Sequence, residues 1–210
     1  MQITSDHLLD DATLDILPGG NKMAVRRLLV IHFTSGMSAR SSIGFWKTPA
    51  AKGASAHIII DRDGTVIQCR AFDRTCGHAG VSRWKDPTDG VRTGCNAFSI
   101  GIELANAGDS VSGSVEEPKA FGKHPCEAGA IRAKHKNGGP VSLWENYPAA
   151  QLDACFAVAK ALVKRYKLDD VCGHEDIAPE RKNDPGPAFP MQELRKSVGF
   201  KGLPKVNRLG

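Results

Sequence analysis

The sequence predicts a single α/β domain in which helices flank a central mixed β-sheet. Three observations predict it. Short β-rich runs alternate with helical patterns along the chain. The run Leu28-Leu29-Val30-Ile31 is continuously apolar, as a strand covered on both faces must be. Leu152, Cys155, Phe156, Ala159, Leu162 and Val163 recur at helical spacing, which turns one apolar stripe toward a sheet. A chain of 210 residues, 41% hydrophobic and 24% charged, suffices for one domain with its own core.

Residues 1–24 read as an irregular N-terminal extension that ends near the turn-forming Pro18-Gly19-Gly20-Asn21. The domain proper is expected over 25–198. Val25 to Phe33 reads as a strand with His32 at its end. Ser38 is placed to cap a helix that runs to about Lys47 and stops at Pro49. Ala56 to Ile60 and Thr65 to Cys69 are β-rich runs joined by the hairpin turn Asp61-Arg62-Asp63-Gly64. Phe98 to Leu104 is a further strand. Residues 105–147 are rich in Gly, Ser, Pro, Lys and Glu with weak periodicity, and read as a long loop or insertion. Pro148 opens the clearest helix, which runs to Tyr166. Val171 to Gly173 is a short strand, followed by a proline-rich loop and a last helix from Pro190 to Val198. The basic tail 199–210 is expected to be loose.

Composition excludes several classes. No apolar run reaches the roughly 18–20 residues that cross a bilayer. The net charge of +5 is modest, and no recognition helix, basic stripe or nucleic-acid motif accompanies it, so no nucleic-acid partner is expected. The six cysteines form no C-x-x-C pair, which argues against a cysteine zinc site. No basic segment followed by an apolar stretch marks a secretory leader at the N-terminus, and the thiols are therefore expected to be reduced.

The most informative stretch runs from Gly173 to Phe189. It sets His174, Lys182 and Asp184 in one loop with Pro179, Pro185 and Pro187, and proline narrows the conformations open to that loop. Taken singly, His174 and His32 each read more readily as hydrogen-bonded structural histidines than as ligands.

Five motifs in order change that weighing. They are Val30-Ile31-His32-Phe33-Thr34, Ser55-Ala56-His57 followed by Asp61-Arg62-Asp63-Gly64, Cys76-Gly77-His78-Ala79-Gly80, Ser99 to Leu104, and the His174 to Phe189 segment. With them the chain resembles the type 2 N-acetylmuramoyl-L-alanine amidase family, from Arg27 to Phe189. That family includes phage amidases, AmpD-type enzymes and peptidoglycan recognition proteins. The resemblance implies a zinc cleft at one side of the sheet, with Zn2+ held by His32, His174 and Asp184. Two imidazoles and a carboxylate leave a fourth tetrahedral position for water, the arrangement of a catalytic site. The resemblance further implies that Glu103 is the general base and that Lys182 stabilises the oxyanion. His57, His78 and Asn106 are expected to line the cleft and contact substrate. His7, His124 and His135 match no motif and are expected at the surface.

The implied reaction is hydrolysis of the amide between the lactyl group of N-acetylmuramic acid and L-alanine. The implied partner is peptidoglycan or a soluble muropeptide, with no membrane or nucleic acid, acting as a monomer. The alternative is a non-catalytic peptidoglycan-binding module of the same fold. Without a visible leader, the expected location is the cytoplasm, or the wall after delivery by phage lysis or a secretion system.

Overall fold

The computed structural model describes residues 1–88 and 90–204, so the predicted tail lies outside the described residues from 205 onward. In chain order the strands are β1 (Thr13–Leu14), β2 (Leu28–Phe33), β3 (Ile58–Ile60), β4 (Val66–Gln68), β5 (Arg83–Asp86), β6 (Gly90–Thr93), β7 (Ser99–Leu104), β8 (Val111–Gly113), β9 (Pro118–Ala120), β10 (His124–Pro125), β11 (Ala130–Lys134), β12 (Val141–Glu145) and β13 (Asp170–Gly173). The α-helices are α1 (Ala39–Trp46), α2 (Ala149–Tyr166), α3 (His174–Ile177) and α4 (Met191–Ser197).

One six-stranded sheet carries the domain, in the order β1-β4-β3-β7-β2-β13. Its pairings are parallel except for the β3–β4 hairpin, so the sheet is mixed, as predicted. Strand β2 lies inside the sheet between β7 and β13 and every one of its residues is buried, which is why its sequence carries no polar alternation. Leu29 and Ile31 of β2 join Ile58, Ile60, Ile100, Ile102 and Leu104 on the face covered by α2 and α4. Leu28 and Val30 point the other way, into a smaller cluster with Trp84, Phe98, Cys172 and Ile177. Helix α1 covers part of that second face through Ala39 and Ile43, which pack with Ile59 and Cys69.

Ser38 caps α1 by accepting a hydrogen bond from the Ser41 N–H at 3.1 Å. The buried stripe of α2 consists of Gln151, Cys155, Val158, Ala159 and Leu162. Leu152, Phe156 and Val163 sit at its margin, half-buried against the same core. No helix among the described residues is long and apolar enough to cross a membrane.

Two stretches carry more order than their composition suggests. In the N-terminal extension, β1 adds a parallel edge strand to β4, and Leu9, Leu17 and Met23 are buried. Two residues of strand are too few to show a period. The 105–147 stretch folds into a three-stranded antiparallel sheet, β8 to β10, and the β11–β12 hairpin. Its strands run only two to five residues between turns, so neither a helical nor a strand period emerges.

Candidate metal centre and active site

Strand alternation decides which side chains meet. His32 of β2 is in register with Glu103 of β7, so both point to the face opposite α2. Both lie near the C-terminal ends of parallel strands, where open α/β sheets form their ligand clefts. Strand β13 ends at Gly173, and His174 follows at once as the first residue of α3. The proline loop then returns, and the Glu175 N–H donates to the Asp184 carbonyl at 2.8 Å, which brings the Asp184 carboxylate beside both imidazoles.

His32 Nδ1, His174 Nδ1 and Asp184 Oδ2 lie 2.9 to 3.1 Å from one another. All three residues are buried, and among the described residues they form a set able to hold a metal ion. The outer ring nitrogens show why the inner ones converge. His174 Nε2 donates to the Ala79 carbonyl at 3.0 Å. His78 Nε2 donates to Ser99 Oγ at 3.1 Å, and Ser99 Oγ in turn donates to the Cys95 carbonyl at 2.6 Å. His78 Nδ1 is therefore an acceptor, and it receives the His32 Nε2–H at 3.0 Å. With both Nε2 protons engaged, each Nδ1 presents a lone pair. Two imidazole lone pairs and a carboxylate oxygen at this spacing repel unless a proton or a cation lies among them.

The donor set fits Zn2+. Ligands at about 2.0–2.1 Å in a tetrahedron stand about 3.3 Å apart, a few tenths of an ångström wider than the spacing found. Burial, together with the nearby His174, holds the His32 imidazole down at about 4. Burial alone would raise the Asp184 carboxyl, but the adjoining His174 and His32 imidazoles outweigh it and keep the group well below the usual carboxylate range.

The triad opens onto a cleft of about 530 Å³, lined also by Phe45 and Trp46 of α1 and by Arg181, Lys182 and Asn183. Glu103 lines this cleft. Its Oε2 is buried without a hydrogen-bond partner. Burial pushes its carboxyl well above the ordinary value, Asp184 adds to the rise, and the Lys182 ammonium opposes it. Lys182 also disfavours a proton on His32, so its charge acts on both of these in-register neighbours.

Of the three expected substrate residues, His78 borders this cleft, and His57 and Asn106 do not. His57 is fully buried; its Nε2 donates to the Arg74 carbonyl at 2.8 Å and its Nδ1 accepts the Gly101 N–H at 3.1 Å. Asn106 is also fully buried, and its amide bonds the backbone at Gly108 and Asn146. Neither borders the cleft. His78 reaches the cleft wall but is nearly buried and backs His32. His124 is exposed, as expected. His7 is half-buried, with Nδ1 2.7 Å from the Tyr166 hydroxyl. His135 corrects the surface expectation: it is buried and its Nε2 donates to Glu175 Oε2 at 2.5 Å. No motif marked it, because its partner lies on a different element. Arg181 was also missed, although it adjoins Lys182; it donates to the Ala79 and Val81 carbonyls and lines the cleft.

Comparison with known proteins agrees with this architecture. A profile of the N-acetylmuramoyl-L-alanine amidase family matches residues 21–187. The 1,6-anhydro-N-acetylmuramyl-L-alanine amidase AmpD of Enterobacter cloacae is 36% identical over 147 residues, 69% of this chain and 57% of that protein. The N-acetylmuramoyl-L-alanine amidase AmiD of Escherichia coli is 30% identical over 192 residues, 87% of this chain and 56% of its own length. The chain thus spans a little over half the length of these curated relatives. Among solved structures, a selenomethionine derivative of AmpD superposes with a TM-score of 0.63 at 27% identity, covering 94% of this chain and 99% of its own. Escherichia coli AmiD, in complex with the substrate anhydro-N-acetylmuramic acid-L-Ala-D-γ-Glu-L-Lys, gives 0.61 at 28% identity, covering 85% of this chain and 58% of that one. By sequence and fold, this chain belongs to the N-acetylmuramoyl-L-alanine amidase family.

Proposed function

We propose that the chain is a zinc-dependent N-acetylmuramoyl-L-alanine amidase acting on muropeptides, which hydrolyses the amide between the lactyl group and L-alanine. The observation that carries this reading is the set of lone pairs on His32 Nδ1, His174 Nδ1 and Asp184 Oδ2, turned on one point beside a partnerless buried oxygen of Glu103. The substrate class follows from the relatives, whose names and bound ligand are muramyl-peptide chemistry.

His32, His174 and Asp184 would hold the ion, which when bound polarises a carbonyl and makes water a nucleophile near neutral pH. Glu103 takes a proton from the attacking water and returns it to the leaving amine. Its raised proton affinity suits both halves of that task, because a group poised closer to neutrality gives and receives with similar ease. Lys182 offsets the negative charge that develops on the scissile carbonyl oxygen. His78 holds the His32 ring with its Nδ1 toward the cleft.

The test is release of free peptide from a soluble anhydro-muropeptide and from intact sacculi, before and after chelation. Hydrolysis that stops with chelator and returns with zinc is the expected result. Wall binding without hydrolysis by the zinc-loaded chain would sink the enzymatic reading in favour of a binding module. The ratio of the two rates identifies the physiological form of the substrate.

A further inference from the structure

The 105–147 insertion does not border the cleft: every lining residue comes from outside it. What it does touch is the loop that carries two of the three candidate ligands. At the turn of the β11–β12 hairpin, three consecutive residues reach the start of that loop. His135 Nε2 donates to Glu175 Oε2 at 2.5 Å. Lys136 Nζ lies 2.7 Å from both Glu175 Oε1 and Asp176 Oδ1. Asn137 Nδ2 donates to the Glu175 carbonyl at 2.8 Å. Glu175 and Asp176 are both buried, directly after His174 in the chain.

The same carboxylates tie the loop to itself. Asp176 Oδ2 accepts the Gly173 N–H at 2.8 Å, and Glu175 Oε2 accepts the Gly186 N–H at 3.2 Å, so the residues before His174 and after Asp184 are bound to one acidic pair. Trp144 of β12 closes the far end. Its ring stacks on His135 at 5.6 Å and lies against Gly186, where an added Cβ would come within 2.6 Å of it. Tyr147 donates to the Pro185 carbonyl at 2.8 Å, and Asn183 donates to Asp109 at 2.8 Å.

We propose that this insertion is the positioning element of the metal loop: His135, Lys136 and Asn137 grip Glu175 and Asp176 and so set the separation between His174 and Asp184. Buried carboxylates are stable only when paired, and here the hairpin and the loop's own backbone supply partners. A loop held at both ends presents its donors without reorganising when the ion arrives. The inference rests on the zinc reading proposed above.

The experiment uses the full chain. Zinc dissociation constants are measured by competition with a chromogenic chelator, and the cobalt-substituted protein gives a visible absorption spectrum that reports ligand geometry. Lys136→Met is expected to raise the zinc dissociation constant about 10- to 100-fold, the size of effect typical of partners behind metal ligands. Its cobalt spectrum should shift, while Lys136→Arg, which keeps a cation between the two carboxylates, should return both readouts toward wild type. Asn137→Ala removes one donor from a half-exposed site and guards against misfolding of the first variant; it should weaken zinc binding in the same direction. Wild-type affinity and spectrum in a folded Lys136→Met protein, or in Asn137→Ala if Lys136→Met does not fold, would overturn the positioning role alone. A wild-type chain that binds no zinc, with His174→Ala indistinguishable from it, would overturn both readings.

Discussion

Glu103, half-buried with a buried Oε2, and His57, fully buried, are ionisable groups on the same face of the sheet, and desolvation acts on them in opposite senses. For Glu103, burial and Asp184 raise the proton affinity, against the pull of Lys182. A base works only when deprotonated, so activity is expected to fall as pH drops through that raised value, at a pH above the ordinary glutamate range of about 4.3. The acid limb of a kcat/KM profile checks this. Glu103→Gln should lose about 10²- to 10⁴-fold in rate and lose that limb with it. For His57, burial depresses the imidazole to about 4 from the 6.5 of an exposed histidine. The depressed group is neutral in the folded chain while the unfolded chain takes up its proton, so its contribution is complete above pH 6.5 and is lost as pH falls toward 4. The loss amounts to about 3 kcal/mol at most. The structural reason is that both ring nitrogens are committed: a proton on Nδ1 would break the bond from Gly101. Denaturant melts at pH 7 and pH 4.5 should differ less in His57→Gln than in wild type.

Within the elements, β7 shows how tightly the second face is drawn. The His78 ring packs directly on Gly101 of this strand, and a Cβ there would lie 2.6 Å from His78 Cγ. Gly101→Ala should therefore push His78 off His32, weakening zinc binding and activity while leaving the α2 face of the sheet intact; zinc titration and circular dichroism separate the two effects. The elements legible in the sequence were those whose burial imposes a pattern. The unbroken apolar run of β2, the Ser38 cap and the α2 stripe each follow from local chemistry. His32, Glu103, His174 and Asp184 could be named from motifs, and strand register explains why the first two meet. What the sequence did not show was pairing across distant elements. His135 had no local reason to be buried, because its partner Glu175 is 40 residues away. His57 lies within a family motif and Asn106 just beyond one, yet both bond the backbone around them, and a motif does not distinguish a residue that lines a cleft from one that holds its wall in place.

For the molecule as a whole, the candidate ion would cross-link three elements that the sheet and the loop already join through backbone hydrogen bonds. His32 is on an inner strand, His174 opens a one-turn helix, and Asp184 is in a loop. Zinc at about 100 times its dissociation constant should add roughly 2.7 kcal/mol to stability. For a domain of this size that corresponds to a rise of about 5–10 °C in melting temperature. Calorimetry with and without chelator measures it, and equal melting temperatures would count against a site that binds the folded chain alone.

The six cysteines are all free and all buried, and that turns them into a stopwatch for how the fold comes apart. Burial pushes the thiols of Cys69, Cys76 and Cys155 up to about 12 and that of Cys172 well above its ordinary value, so the native chain offers alkylating reagents almost no thiolate. Each sulfur starts to react only when its own neighbourhood opens. Cys126 belongs to the small apolar cluster of the insertion, with Ala107 and Ala120, whereas Cys155 is buried in α2 and Cys172 in β13. Pulse alkylation in mild denaturant, read cysteine by cysteine in a mass spectrometer, should mark Cys126 ahead of Cys155 and Cys172. The same sulfurs, silent in the native state, would then record whether loading the metal delays the insertion's opening along with that of the sheet.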